Sequence, residues 1–360
     1  MASNSSQRGL TLVELLVGLA TGLVVLLVVT QVMQSFEGQK RTSTGGNDAQ
    51  TNGAVALYLL EQEVRMAGYG LFGPEGAFCR NGINIYKDNG AQGEVTMNAV
   101  ALVPVRIADG GSGADSIVVM RSQGAGDALP LSIKKPMPNP ASIVTVGSDG
   151  GLKEGALFIV GARDGSKVCT LMQLSRSPQH TGNGVDLNHN SGIRSPYNPS
   201  NIDQTFTNTE AYEDGDIVVH VGNVDHEPGR RFSVRCDHLV ESSPVDVVAD
   251  NAVTCTNSTP MVAQVVDLQA QYGVVNGGVL SWENATGALA ALDDDEVDRI
   301  RAIRVGVVVR HPQYEKVALP APPVPAWMGE ATKNAIAANA NYRHRVFETV
   351  IPLRNVIWAP

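Results

Sequence analysis

Residues 8–33 read RGLTLVELLVGLATGLVVLLVVTQVM, and this stretch decides the architecture of the chain. Between Leu10 and Met33 it contains no Lys, Arg or Pro. An α-helix rises about 1.5 Å per residue, so a helix over this stretch is long enough to cross a hydrocarbon core of about 30 Å. We therefore predict a transmembrane helix at residues 10–33.

The leader before this helix, residues 1–9, is polar and carries one side-chain cation, Arg8. Positive residues favour the cytoplasmic side of a membrane, so we expect a cytoplasmic leader and an exported chain after Met33. A cleaved secretory signal would have a shorter apolar core followed by a small-residue cleavage site. Here Gly9 precedes the apolar run, which does not fit that pattern.

Glu14 is the one charged residue between Leu10 and Met33. A charge near the middle of a membrane helix costs roughly 2.5 kcal/mol or more, so it is normally paired or functional. A partner for this carboxylate is therefore expected, and the alternative is that Glu14 is a tolerated polar residue.

The motif RGLTLVELLVGLATGL, residues 8–23, resembles the class III signal of type IV prepilins and pseudopilins. The resemblance implies that a prepilin peptidase cleaves after Gly9 and methylates the new N-terminus at Leu10. It also makes Glu14 the acidic residue of the family, five residues after the cut. Leu10 departs from the usual phenylalanine, so we expect slower cleavage but not its loss.

Cleavage at Gly9 would create a free amine that Glu14 of the same rigid helix cannot easily reach. We expect a neighbouring subunit to supply that amine, because two costly buried charges then become one pair and set the axial stagger. Gly18 and Gly22 have the GxxxG spacing that lets a second helix approach closely. Glycine is common in membrane helices, so an incidental role for these two stays open.

Residues 34–67 are predicted to extend the helix onto the exported domain. Apolar residues recur there at helical spacing and are expected to face a core: Leu57, Leu60, Val64 and Ala67. Three glycines precede or enter this pattern, at positions 45, 46 and 53. Each costs about 1 kcal/mol relative to alanine in a helix, so a bend or frayed turn is expected there. The alternative is a helix that continues without interruption to Met66.

The rest of the chain, residues 68–360, has the pattern of a large β domain, and the predicted fold class is α+β with mostly antiparallel sheets. Short β-branched runs alternate with Gly, Pro, Asn and Asp clusters: residues 99–107, 115–122, 141–148, 156–162, 216–224, 231–236, 261–275, 301–311 and 345–353. Residues 179–201 are predicted to be a long loop and residues 319–327 a stiff, exposed connector. A short helix is expected at residues 329–340.

Four cysteines lie on the exported side, where disulfides can form. Three pairings are possible. We favour Cys236 with Cys255, since they are close in sequence, which leaves Cys79 with Cys169. Free buried thiols are the alternative.

Two further places resemble PilW-type minor pilins. The first is EVRMAGYG, residues 63–70, where Gly68 and Gly70 would let the chain leave the helix sharply and Arg65 could cap its last carbonyls. The second is the C-terminal strands: VVDLQAQYGV at 265–274, Trp282, IRAIRVGVVVR at 300–310 and RVFETVIPLRN at 345–355. Residues 80–260 match nothing named.

Other classes of function find little support in the sequence. It has no P-loop, nucleophile elbow, zincin or dinucleotide-binding motif, so no enzyme activity and no cofactor are expected. A net charge of −9 argues against a nucleic-acid partner. The spacing of His220, His226, Cys236 and His238 matches no standard zinc site. The calcium-like start at Asp186 and the acidic run at residues 293–298 are expected to be surface features.

We therefore expect a minor pilin with a structural role in type IV pilus (fimbrial) assembly and twitching motility, in a priming or tip complex. The partners implied are other minor pilins, the major pilin, the prepilin peptidase, the inner-membrane assembly platform and a tip adhesin. The expected location is the bacterial inner membrane with a periplasmic C-terminus, then the pilus surface. The alternatives are a minor pseudopilin of type II secretion and a pilus-mounted adhesin with a ligand site in residues 80–260.

Overall fold

The structure is a computed structural model that describes residues 11–73, 76–77, 79–90, 93–122, 129–192, 194–225, 227–246 and 250–357. The predicted leader, residues 1–9, lies outside these ranges, as does Leu10.

A single helix, α1 (Leu12–Arg65), forms the spine of the molecule. It has 54 residues and is therefore about 80 Å long. The helix includes the predicted transmembrane segment and nearly all of the predicted extension. It passes through the three glycines without a break, so the frayed turn predicted there is wrong.

The other elements alternate short strands with a few short helices. The strands of the described ranges are β1 (Phe72–Gly73), β2 (Gly76–Ala77), β3 (Ile83–Asp88), β4 (Glu94–Val100), β5 (Val105–Ala108), β6 (Ser116–Met120), β7 (Leu131–Ser132), β8 (Val144–Val146), β9 (Ala156–Gly161), β10 (Cys169–Gln173), β11 (Gln179–Thr181), β12 (Gly184–Leu187), β13 (Ile217–Asn223), β14 (Gly229–Arg235), β15 (His238–Ser242), β16 (Thr259–Ala263), β17 (Val265–Asn276), β18 (Val279–Glu283), β19 (Ile300–Arg310) and β20 (His344–Pro352). The further helices are α2 (Ile202–Thr205), α3 (Asp294–Arg299), α4 (Gly329–Ala338) and α5 (Arg354–Ile357).

These strands form three larger sheets and two smaller ones. The four-stranded sheet has the order β18-β17-β19-β20, the five-stranded sheet β16-β15-β14-β6-β5, and the six-stranded sheet β4-β3-β10-β9-β13-β7. A three-stranded sheet, β11-β12-β8, and the β1-β2 hairpin complete them. Within the described ranges, β3 and β10 are the one parallel pair. The predicted fold class, a long helix followed by a mostly antiparallel β domain, is confirmed.

The C-terminal half of α1 belongs to the main hydrophobic core. Ala56, Leu60, Val64 and Ala67 are fully buried, and Leu57 packs against them. The same core includes inward-facing residues of the four-stranded and five-stranded sheets. The predicted core face of the helix is therefore confirmed.

Two of the spine glycines bring the helix close to the sheet. A Cβ at Gly45 would overlap the imidazole of His311, and one at Gly53 would overlap the ring of Phe347 in β20. Gly46 faces open space. Gly45 and Gly53 therefore weaken the helix locally but permit close packing against the sheet. Close packing accounts for these two glycines, and no bend in the helix is needed.

The six-stranded sheet is apolar on both faces. Phe158 and Val160 of β9 face a core shared with the three-stranded sheet, whereas Leu157 and Ile159 face a core on the opposite side. A strand buried on both faces has a continuous apolar sequence. This explains why residues 156–162 show no alternation of polar and apolar residues.

Two sequence predictions fail locally. The predicted loop at residues 179–201 contains the β11-β12 hairpin, which pairs with β8 through Val185. The predicted strand at residues 99–107 is divided between β4 and β5, which belong to different sheets. Pro104 lies between them, where a ladder hydrogen bond would need an N–H group.

The remaining predictions for the β domain agree with the structure. Residues 319–325 have no regular structure, and α4 occupies the predicted short helix. Cys236 is bonded to Cys255 and Cys79 to Cys169, with Cα–Cα distances of 6.2 and 5.5 Å. The favoured disulfide pairing is therefore confirmed.

Replacing Gly53 tests the close packing of the spine. Helix propensity alone would make either Gly→Ala change stabilising by up to about 1 kcal/mol. We expect Gly53→Ala instead to destabilise the protein by roughly 1 kcal/mol or more, because the Cβ overlaps Phe347. Gly46→Ala is the matched control and should raise or preserve the melting temperature, measured by circular dichroism on the full chain in detergent. Equal, stabilising shifts for both variants would contradict the packing.

Candidate functional site

The N-terminal end of α1 is closed by a reciprocal pair, Thr11 and Glu14. The Glu14 carboxylate accepts hydrogen bonds from the N–H and hydroxyl of Thr11, both at 3.0 Å. The Thr11 hydroxyl accepts the N–H of Glu14 at 3.3 Å. This is a capping box, and the spacing Thr-x-x-Glu is its sequence signal. This local role was not predicted from the sequence.

The N-terminal half of α1 makes few contacts within the chain. It precedes the β domain, residues 68–360, which we call the head. The Glu14 side chain is exposed, as are the large apolar residues from Leu12 to Phe36. A Cβ at Gly18 or at Gly22 would have no neighbour within 4 Å. By length and composition, α1 is the one helix of the described residues that could cross a membrane. This half therefore presents a carboxylate and a narrow glycine surface to its surroundings.

The predicted cleavage after Gly9 and methylation of Leu10 fall outside the described residues. Both stay predictions.

At the opposite end, the spine stops sharply. The helix ends at Arg65, and Gly68 and Gly70 follow with φ of 75° and 72°, in the left-handed region. The N–H of Gly68 donates to the carbonyl of Met120 at 2.8 Å. The predicted exit through these two glycines is confirmed.

The helix carbonyls at this end are bound by a residue from the far end of the sequence. The predicted cap, Arg65, pairs with Glu61 one turn earlier, so that prediction is wrong. The side-chain amide of Asn355 instead donates to the carbonyls of Arg65 and Ala67, at 3.4 and 3.0 Å. Only the fold brings Asn355 to this position, which is why the local sequence could not reveal it.

A bidentate ion pair joins the C-terminal end of α1 to the five-stranded sheet. We call this end of the helix, residues 63–70 with Arg121 and Asn355, the junction. The Arg121 guanidinium donates to both oxygens of Glu63, at 2.9 and 3.2 Å. Arg121 directly follows β6, and its N–H donates to the carbonyl of Pro228 at 2.9 Å. Glu63 and Asn355 belong to the two segments whose sequences carried the resemblance to pilins. The structure brings those segments together at one junction.

Two buried carboxylates, Asp115 and Asp267, connect neighbouring elements of the β domain. Asp115 accepts the N–H groups of Gly110 and Ala270, at 2.9 and 2.8 Å. Burial raises the pKa of Asp115 to about 7. Burial also raises the pKa of Asp267, which accepts the hydroxyl of Thr332 in α4. Both groups serve to join loops and helices to β17.

The other candidates from the sequence have structural partners. Cys236 is in a disulfide, His220 contacts the carbonyl of Gly222 at 2.9 Å, and His238 contacts that of Cys236 at 2.7 Å. His226 lies outside the described residues. The structure does not gather these side chains at one point within the ranges it describes.

The acidic candidates likewise have local roles. Asp186 lies in β12 and accepts the hydroxyl of Thr145 at 2.7 Å. Asp293 caps α3 by accepting the N–H of Glu296 at 3.1 Å. A cross-strand pair between β12 and β8 accounts for Asp186, and helix capping accounts for Asp293.

The C-terminal part of the chain matches a known protein family. Residues 235–355 match the family described as Type IV Pilus-assembly protein W. The match contains the entire four-stranded sheet and ends at Asn355, and it confirms the resemblance of the C-terminal strands. It supports a role related to the type IV pilus.

Structural comparison gives a much looser similarity. A type IV-like pilin from Thermus thermophilus aligns over 86% of this chain and 98% of its own, with 8% identity and a TM-score of 0.32. An alignment at that score carries no further conclusion. None of the curated proteins compared with the chain matches it.

Removing Arg121 tests the junction. We expect Arg121→Ala to lower the free energy of unfolding by about 2 kcal/mol, because Glu63 keeps its charge without its bidentate partner. The two side chains are only 19% and 16% exposed. As a control, Arg343→Ala breaks a pair with Glu315 in which the arginine is 50% exposed, and should cost less than about 1 kcal/mol. Equal losses of unfolding free energy in the two variants, measured by thermal unfolding, would contradict a larger contribution from the Glu63–Arg121 pair.

Proposed function

We propose that the protein is a minor pilin with a structural, non-catalytic role in type IV pilus assembly, as part of a priming or tip complex. The observation that carries this proposal is the division of α1 into two halves. One half is exposed, apolar and long enough for a membrane, and the other is buried in the core of the head. A helix built in this way transmits the position of its membrane half directly to the head.

Before assembly, the protein would be a single-pass protein of the inner membrane with its head in the periplasm. A prepilin peptidase would cleave after Gly9 and methylate Leu10, which frees the N-terminus for contact with other subunits. The assembled protein would then be part of the pilus at the cell surface.

In the assembled state, Glu14 would bind the N-terminal amine of a neighbouring subunit. In the single chain, the carboxylate already accepts two hydrogen bonds from Thr11. Those neutral donors leave its charge uncompensated, whereas an ammonium group neutralises it, and that difference is large in hydrocarbon. Gly18 and Gly22 lie one and two turns further along, where they would allow the second helix to approach closely.

The partners in this proposal are other minor pilins, the major pilin and the assembly platform, and the size of the head favours the tip. A head of roughly 290 residues repeated along a thin fibre would crowd its neighbours, whereas a tip has room for it and for an adhesin. A minor pseudopilin of type II secretion would share the anchor, but the match to the pilus-assembly family favours the pilus. Loss of exoprotein release without loss of pili or twitching, on deletion of the gene, would favour the secretion system.

Substitution of Glu14 tests the pairing of subunits. We expect Glu14→Ala to leave membrane insertion and processing intact but to lower incorporation into sheared pili by roughly tenfold or more, since the incoming amine loses its partner. The measurement is the ratio of this subunit to the major pilin in purified pili, by immunoblot.

Thr11→Val is the matched control because it removes the hydroxyl, and with it two of the three hydrogen bonds of the capping box, but leaves the carboxylate. If Glu14 serves only as a cap, both variants will be equally poor at assembly. The pairing of subunits predicts that Thr11→Val is incorporated nearly as well as the wild type.

A further inference from the structure

The four-stranded sheet has an outer face, opposite α1, that is only partly covered. Helix α4 covers the end near Val308 and Val346, where Met328 and Ile336 pack against them. Beyond α4, the same face carries three large side chains that remain partly exposed: Trp282, Arg304 and Trp327.

These three side chains form a stacked unit, the Trp-Arg-Trp clamp. The guanidinium of Arg304 lies 4.8 Å from the ring centre of Trp282 and 4.5 Å from that of Trp327. Its Nε atom is buried and, among the described residues, has no hydrogen-bond acceptor. Stacking on two indoles therefore contributes much of what holds this charge in place.

Glycines beneath the clamp fix the positions of both rings. A Cβ at Gly273 would lie 2.9 Å from the ring of Trp282, and one at Gly306 would lie 3.0 Å from that of Trp327. The indole N–H of Trp327 donates to Glu348 at 2.8 Å. The two indoles are therefore held against the sheet before any ligand arrives, which lowers the entropic cost of binding.

A cleft lies beside each indole. The cleft next to Trp282 has a volume of about 430 Å³ and includes Glu283 and Arg299, and the cleft next to Trp327 has about 190 Å³ and includes Asp109. Gln271 and Asn284 line both clefts. The amide of Gln271 donates to Asn284 at 2.6 Å, so a pair of amides forms the bridge between them.

We propose that these two neighbouring clefts bind a neutral oligosaccharide, one sugar unit against the part of each indole that borders its cleft and is not covered by Arg304. A pyranose ring has an apolar C–H face that stacks on an aromatic ring, and hydroxyls at its edge that both donate and accept hydrogen bonds. Each cleft combines one indole with amide and carboxylate groups, which is this complementarity. Polar atoms form the larger part of the lining in both clefts, which disfavours a lipid or other purely apolar ligand.

The charge of the clefts selects against acidic sugars. Three carboxylates that reach the surface line them, those of Asp109, Glu283 and Glu330. The cation in the lining is Arg299, which already pairs with Glu296. Arg304 is already engaged by the two rings and by Gln271. A uronate or sialyl group would therefore meet like charge.

Both clefts lie on the face of the sheet opposite α1. Trp282 pairs with Gly273, which pairs with Ala302 near the start of β19. At the same end of the sheet, the N–H of Leu353 donates to the carbonyl of Arg301, and Asn355 binds the carbonyls at the end of α1. Trp327 lies nearer the middle of the sheet, beside Gly306 and Glu348. A bound sugar would therefore leave α1 free for assembly.

The test uses the full chain in a detergent without a sugar headgroup. Cellotetraose, chitotetraose and maltotetraose are the neutral probes and a hyaluronan tetrasaccharide is the acidic one, each titrated by calorimetry. We expect at least one neutral probe to bind and the acidic one not to bind. Binding of no neutral probe, or of the acidic probe alone, would overturn the proposal even if a pilus subunit docked on this face.

Variants locate the bound sugar. Trp282→Ala and Trp327→Ala should each weaken binding by roughly tenfold, because one stacking surface is lost. Asn284→Ala changes an exposed residue that should not affect folding, and should weaken binding by roughly fivefold. Tyr58→Ala, at an exposed aromatic residue on α1, is the control and should bind like the wild type. Undiminished binding by a folded Trp282→Ala or Asn284→Ala protein would exclude the clefts as the site.

Discussion

The close contact between α1 and the four-stranded sheet is the constraint on which the rest of the structure depends. A helix that must be apolar on all sides in a membrane can still be amphipathic further along, provided that its second half packs against a core. Gly45 and Gly53 remove side chains at the points of closest approach, next to His311 and Phe347. These glycines lower the helix propensity of α1. Burial of apolar surface between the helix and the sheet offsets that free-energy cost.

The ends of α1 follow from the same constraint. At the head end, the last carbonyls would be orphaned, and Asn355 from the opposite terminus of the chain binds them. Glu63 and Arg121 add a charged contact to the five-stranded sheet. At the N-terminal end, Thr11 and Glu14 bind one another through reciprocal hydrogen bonds. Both ends of the spine therefore have hydrogen-bond partners within the chain.

Features that depend on the local sequence pattern could be predicted from the sequence. The apolar run follows from composition, and the helical spacing from Leu57 to Ala67 follows from burial of one face. The Cys236–Cys255 disulfide follows from a separation of 19 residues, which leaves Cys79 for Cys169. Features that depend on distant contacts could not be predicted in this way. The glycines of the spine indicate flexibility when read alone, and only the position of Phe347 shows that Gly53 permits packing. Asn355 and the Trp-Arg-Trp clamp likewise gain their roles from residues far away in the chain. The spacing of Thr11 and Glu14 was sufficient to predict the capping box from the sequence.

Amide hydrogen exchange on the full chain in detergent tests most directly whether α1 is part of the head. If the buried half of the helix is a core element, its amides from Ala56 to Val64 will exchange as slowly as those of β17 and β19. They will also open with the same free energy, in one cooperative unit. Exchange of these amides as fast as in an isolated exposed helix, while the four-stranded sheet stays protected, would contradict the account. The spine would then be an appendage of the head and not its foundation.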